Sequence, residues 1–195
     1  MKPLFSVFLV LLIVGCVSEP IVPNVDPSGS SISAKMKTAF SEDYDNWEFK
    51  IDEESVDVET SFSEDWDNWD FSAGLIHGDI ETNFSEDWDN WELDSDDYTL
   101  KIKTSFSEDW DNWDIDDYAN GWHADVRTNF SEDWDNWDIQ FSGGSIDART
   151  SFSEDWDNWE VFGDFPADFP LEYKVAVLFV PVITNVMIQN GLIEP

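Results

Sequence analysis

Hydrophobic and polar residues alternate strictly along two kinds of short segment. Ile32, Ala34, Met36, Thr38 and Phe40 share one parity, as do Val56, Val58, Thr60 and Phe62, and later Leu100, Ile102, Thr104 and Phe106. The other parity holds Asp57, Glu59 and Ser61, or Lys101, Lys103 and Ser105. A period of two is that of a strand with one buried face, and it puts Phe40, Phe62 and Phe106 on that apolar face. A second alternation follows each run: Trp47, Phe49, Ile51; Trp69, Phe71, Ala73; Trp137, Ile139, Phe141. Between the two lies Ser-Glu-Asp-Trp-Asp-Asn, whose Ser, Asp and Asn side chains favour a tight or 3₁₀ reversal by bonding their own backbone. Ala73-Gly74, Asn120-Gly121 and Gly143-Gly144 join one pair of strands to the next, with glycine permitting positive φ.

The pattern is a repeat. The segment T-x-F-S-E-D-W-D-N-W-[DE]-apolar begins at Thr38, Thr60, Thr82, Thr104, Thr128 and Thr150, at spacings of 22, 22, 22, 24 and 22 residues. Tyr44 stands where the other copies have Trp66, Trp88, Trp110, Trp134 and Trp156. Two strands per copy predict an all-β domain of twelve strands over residues 32–163. Tandem two-stranded repeats admit an antiparallel meander, open or closed, and alternatively a β-solenoid with one repeat per coil. Charge favours the meander. In a solenoid equivalent acids would stack about 4.8 Å apart, and in a meander about twice as far. Unit charges at the shorter distance repel by about 0.9 kcal/mol in water, and twenty such contacts sum to roughly 17 kcal/mol, more than a typical folding stability.

Residues 164–195 leave the repeat. A Phe- and Pro-rich stretch is followed by an apolar run from Val175 to Ile188 that contains Pro181, with Gly191 and Pro195 beyond it as stop signals. A run of fourteen residues, apolar but for Thr184 and Asn185, is too short for a membrane span, so the segment reads as a buried cap, helical before strand-like, over an open end or edge of the sheet.

At the other terminus, Lys2 precedes an apolar run from Leu4 to Val14 that ends in Ile13-Val14-Gly15-Cys16. Those four residues resemble the lipobox of prokaryotic lipoproteins. The resemblance covers residues 1–16 only. It implies a signal peptide over 1–15, cleavage and acylation at Cys16, and attachment to a cell membrane or outer membrane facing away from the cytoplasm. Residues 16–31, with three prolines and four serines from Val17 on, then read as anchor and tether. The 22-residue repeat itself resembles no family.

Composition narrows the function. With 44 acidic against 9 basic residues the formal charge is −35, which excludes nucleic acid as a partner because no basic stripe exists to offset the repulsion. A single cysteine excludes an internal disulfide framework and a multi-thiolate metal site. Oxygen donors at this density suit Ca²⁺, with candidate ligands Asp65, Asp67, Asp87, Asp89, Asp109, Asp111, Asp133, Asp135, Asp155 and Asp157. Tyr44, Trp66, Trp88, Trp110, Trp134 and Trp156 sit within the reversal beside acids, the composition of a site for a carbohydrate or an organic cation. His77 and His123 lie outside the motif, and every motif serine and acid recurs, so nothing marks a unique catalytic constellation. The expectation is therefore a non-catalytic surface lipoprotein, structural or adhesive, with calcium or surface glycans as candidate partners; the alternative is a carbohydrate- or cation-binding module built on the repeated Trp residues.

Overall fold

The computed structural model describes residues 31–40, 44–153 and 155–194. The signal peptide, Cys16 and nearly all of the tether lie outside the described residues.

Twelve antiparallel strands close into a barrel. In chain order they are β1 (Ile32–Thr38), β2 (Asn46–Ile51), β3 (Glu54–Thr60), β4 (Asn68–Ala73), β5 (Ile76–Thr82), β6 (Asn90–Ser95), β7 (Thr99–Thr104), β8 (Asn112–Asp117), β9 (Trp122–Thr128), β10 (Asn136–Phe141), β11 (Gly144–Thr150) and β12 (Asn158–Gly163). Each strand pairs with its neighbours in sequence, and β1 pairs with β12 through Met36 opposite Trp159. The meander is thus closed, which removes every sheet edge. All six motif loops are at one end of the barrel. The short return hairpins, with Gly74, Gly121 and Gly143 at φ 63°, 68° and 103°, are at the other.

The inward parity is the one the alternation predicts for the strands proper. Trp47, Trp69, Trp91, Trp113, Trp137 and Trp159 are fully buried, each beside a Val, Ile, Ala or Met of a flanking strand. The wall alternates because one face meets water and the other does not.

The C-terminal segment departs from expectation in its place. It is a helix, α1 (Leu171–Gln189), but it does not lie over an end or an edge: it threads the lumen and forms the axial core. By length and composition α1 passes for a membrane span, yet 83% of its most apolar window is buried inside the barrel. A helix apolar on all sides needs apolar surroundings on all sides, and a barrel interior supplies them without lipid. Phe179 wedges edge-on between Trp69 and Trp91, 5.6 Å from each ring centroid.

The helix enters at the hairpin end. There Lys174 pairs with Asp52 at 2.7 Å, and Tyr173 stacks on Trp122 with centroids 4.3 Å apart. Tyr173 also donates to the buried Asp117 carboxylate. α1 leaves at the motif-loop end, closed by Gly191 at φ 66° with the Leu192 N–H on the Met187 carbonyl.

Candidate functional site

The six motif loops, each of seven residues, form a rim at one end of the barrel. In the second copy the ladder ends where the Ser61 N–H meets the Asn68 carbonyl at 2.9 Å. The Asp65 N–H then donates to the Phe62 carbonyl (2.9 Å) and the Asn68 N–H to the Asp65 carbonyl (3.2 Å), two successive i to i+3 turns. The Asn68 amide donates to both Asp65 carboxylate oxygens at 3.1 Å, and the Trp69 indole N–H to the Trp66 carbonyl at 2.9 Å. The loops of Trp110, Trp134 and Trp156 repeat these bonds, and the loop of Trp88 does so with its Asn90 amide on one Asp87 oxygen only.

Neighbouring loops are clamped together by the second motif aspartate. Asp67 accepts from the Thr82 hydroxyl (3.2 Å), the Ser85 hydroxyl (2.9 Å) and the Glu86 N–H (3.0 Å), all in the next copy. Asp45, Asp89 and Asp111 accept from the following Ser and Glu in the same manner, and Asp135 from Ser153. The Thr38 N–H on the Asp157 carbonyl at 3.0 Å closes the ring from last copy to first.

These bonds give the sequence candidates for calcium a structural role. Asp65, Asp87, Asp109, Asp133 and Asp155 hold the amide of their own loop's Asn, and Asp67, Asp89, Asp111 and Asp135 hold the next loop. Asp157 contributes its carbonyl to the closure. Two carboxylates in one loop still oppose each other: burial, and then the adjacent Asp89, hold the Asp87 carboxyl above its ordinary range against the pull of Asn90. Among the described residues a separate group, Asp114, His123 and Asp125, brings ligand-type atoms within 4.8 Å on the outer wall, where Arg127 already pairs with Asp125 at 2.6 Å.

The aromatic residues of the motif take two places. Tyr44, Trp66, Trp88, Trp110, Trp134 and Trp156 are half-buried; the first five are tilted against the buried Trp three residues on, with centroids 6.1 to 6.5 Å apart, and the Trp156 indole N–H donates to Asp135 at 2.8 Å. They roof the lumen instead of standing free. The exposed rings are Phe40, Phe62, Phe84, Phe106, Phe130 and Phe152, at 74 to 77% exposure. Strand parity put these phenylalanines inside, and that expectation is wrong. The ladder stops one residue before each Phe, the turn fixes the carbonyl of Phe62, Phe84, Phe106, Phe130 and Phe152, and the Trp or Tyr four residues later takes the space over the lumen.

The tip of each loop adds charge. Glu64, Glu86, Glu108 and Glu132 are exposed and adopt φ of 61° to 63°, the left-handed region that glycine and asparagine favour. No motif loop contains Lys or Arg. Between the third and fourth loops, the segment emerging from α1 closes a cavity of about 540 Å³. Trp88, Trp110, Leu192 and Ile193 line it together with Glu86, Asp87, Asp89, Glu108 and Glu194.

Set against known proteins, the chain matches no family model, no curated protein and no solved structure.

Proposed function

We propose that this protein is a non-catalytic display module: a lipid-anchored barrel that holds six equivalent Phe-Ser-Glu-Asp tips outward for multivalent docking or adhesion. The observation that carries this reading is the ring of six phenylalanines, each about three-quarters exposed, on the six motif loops at one end of the barrel. Large apolar side chains set at the same exposed position on every loop of one end of the barrel mark an interaction surface. Catalysis has no comparable support, since the rim repeats one constellation and sets no group apart.

Polarity of the chain agrees with display. The chain enters the barrel at Ser31, beside Asp164 and Gly163 at the hairpin end. An anchor at Cys16 would therefore hold the barrel by the end opposite the rim, and the phenylalanines would face away from the membrane. Calcium is an auxiliary in this reading: an ion between the paired aspartates would relieve their repulsion, but the loops close on hydrogen bonds alone.

Site-specific photo-crosslinking in cells that export the full chain tests the reading. A crosslinker at Phe106 or Phe62 should give adducts, and one at Leu75, which is 94% exposed at the opposite end, should not. Equal yields from both ends, or none from the rim, would overturn it. Lipid labelling that survives Cys16→Ala would remove the anchor.

A further inference from the structure

Resting on the reading of the rim as a docking surface, we infer that its partner is a cationic amphipathic polypeptide, a chain in which Lys or Arg side chains accompany apolar ones. Two features of each tip select together. The exposed Phe offers apolar area, and in the four tips where it is described the Glu two residues on is exposed and adopts a left-handed backbone that suits glycine better. A glutamate held in that conformation at Glu64, Glu86, Glu108 and Glu132 puts negative charge beside Phe62, Phe84, Phe106 and Phe130 at a conformational cost.

Other occupants of an apolar ring fail on charge. Each copy of the loop carries three acids and no base, so a second copy of the chain would bring two acidic rims face to face. Anionic lipid headgroups are repelled in the same way, and a zwitterionic bilayer would desolvate the carboxylates without supplying net countercharge. A basic and apolar chain satisfies both features at once. The cavity between the third and fourth loops gives a basic side chain a seat, with Trp88 and Trp110 in its walls and Asp87 and Asp89 beside them. An ammonium or guanidinium there gains cation–π attraction and relieves the repulsion between the two carboxylates, in keeping with the Asp87 carboxyl being held above its ordinary range by burial and then by Asp89.

The test uses the full-length chain in phosphatidylcholine nanodiscs, with empty discs as the blank, and three labelled peptides of equal length. One is Lys/Leu in amphipathic pattern, one is Lys/Ser with the same charge, and one is Glu/Leu with the same apolar face. The Lys/Leu peptide should bind at least about tenfold more tightly than either control, because several apolar anchors act together with charge. Replacing all six rim phenylalanines by Ser keeps every acid, so it should cost the Lys/Leu peptide at least about tenfold and leave the weak Lys/Ser binding unchanged. The variant with only Phe62, Phe106 and Phe152 replaced should fall between, and guards against loss of fold in the six-fold variant. Undiminished Lys/Leu binding by the six-fold variant would assign that binding to the acidic wall and overturn the inference. Equal binding of Glu/Leu, bridging of phosphatidylcholine vesicles, or pairing of discs would also overturn the cationic partner while leaving the rim a docking surface. Binding in no arm overturns the inference as well, and the display reading then stands or falls on the crosslinks.

Discussion

Trp113 and Trp110 show how far single residues could be read in advance. Trp113 opens a strand and is fully buried, as its parity requires; Trp110 packs on it at 6.2 Å and lends its carbonyl to the Trp113 indole. Trp113→Ala should cost about 3–5 kcal/mol by leaving a cavity, and Trp110→Ala about 1–2 kcal/mol for a half-buried ring, both read from urea melts. Phe106 was misplaced because parity holds only while the ladder lasts, and a turn residue can rotate a side chain to either side. The signal was present in Ser105-Phe106-Ser107-Glu108, three residues with loop chemistry around one apolar side chain. The glutamate in the left-handed region was not legible at all, since neither charge nor period marks φ. Its strain gives a residue-scale test: Glu108→Gly should stabilise the barrel by roughly 0.5–1 kcal/mol, the relieved strain less the greater freedom glycine loses on folding. A loss of stability on that substitution would mean the Glu108 side chain holds the loop.

At the scale of elements, twelve strands and their meander order follow from periodicity and charge, but closure and the axial helix do not. A period of two says which face is buried and nothing about what covers it. α1 is apolar on every side, and only a surrounding wall explains that, whereas a cap over an edge would need one polar face. Six similar repeats pose a further problem, because an apolar helix inside them has several nearly equivalent rotational settings. Departures from the repeat choose one. The longer spacing between Thr104 and Thr128 provides the return hairpin 118–121 between Asp117 and Trp122, and both residues meet Tyr173. Asn185 donates to the Trp134 carbonyl at 3.3 Å near the other end. Burial disfavours the Asp117 charge, but donors from Tyr173, Asn120 and the Ala119 and Asn120 N–H groups outweigh it and hold the carboxyl below its ordinary range. Asp117→Ala should therefore cost about 3 kcal/mol by orphaning several donors, and Tyr173→Phe about 1–2 kcal/mol because Asp117 keeps its other three; urea melts of the two variants make the comparison. Equal and small effects would mean that packing alone sets the helix.

Across the whole molecule, every Lys and Arg of the described strands lies on the outer wall, and the wall is still acidic. Between β3 and β6 the acids Glu59, Asp70, Asp79 and Asp94 follow one another across the ladder. Burial first, and then Asp70, hold the Asp79 carboxyl above its ordinary range, as burial and Asp89 do for Asp87. Such groups bind protons more readily folded than unfolded, so stability should rise as pH falls from neutrality through their folded pKa values. His123 acts in the same sense: burial opposes its charge, but Asp116 and Asp125 outweigh burial and raise its pKa, so its contribution is full below about 6.5 and fades as pH rises through the folded value. Below pH 4 the sign reverses. Glu48 is lowered to about 2 by Lys37 and Lys50, and Asp117 is lowered too, so both lose their contribution as pH falls toward their folded values. Thermal melts should show a stability maximum at roughly pH 4–5, and a steady decline from pH 7 to 5 would contradict these signs. On the proposed display reading, function belongs to the assembled ring, whose loops are clamped copy to copy. The most direct measurement is the dissociation rate of the Lys/Leu peptide as rim phenylalanines are replaced by Ser one loop at a time. A multivalent rim requires dissociation to quicken by a similar factor with each loop lost, wherever the series begins. Loss of all binding with one particular loop, or no change until the last, would show that the six tips do not work as one surface.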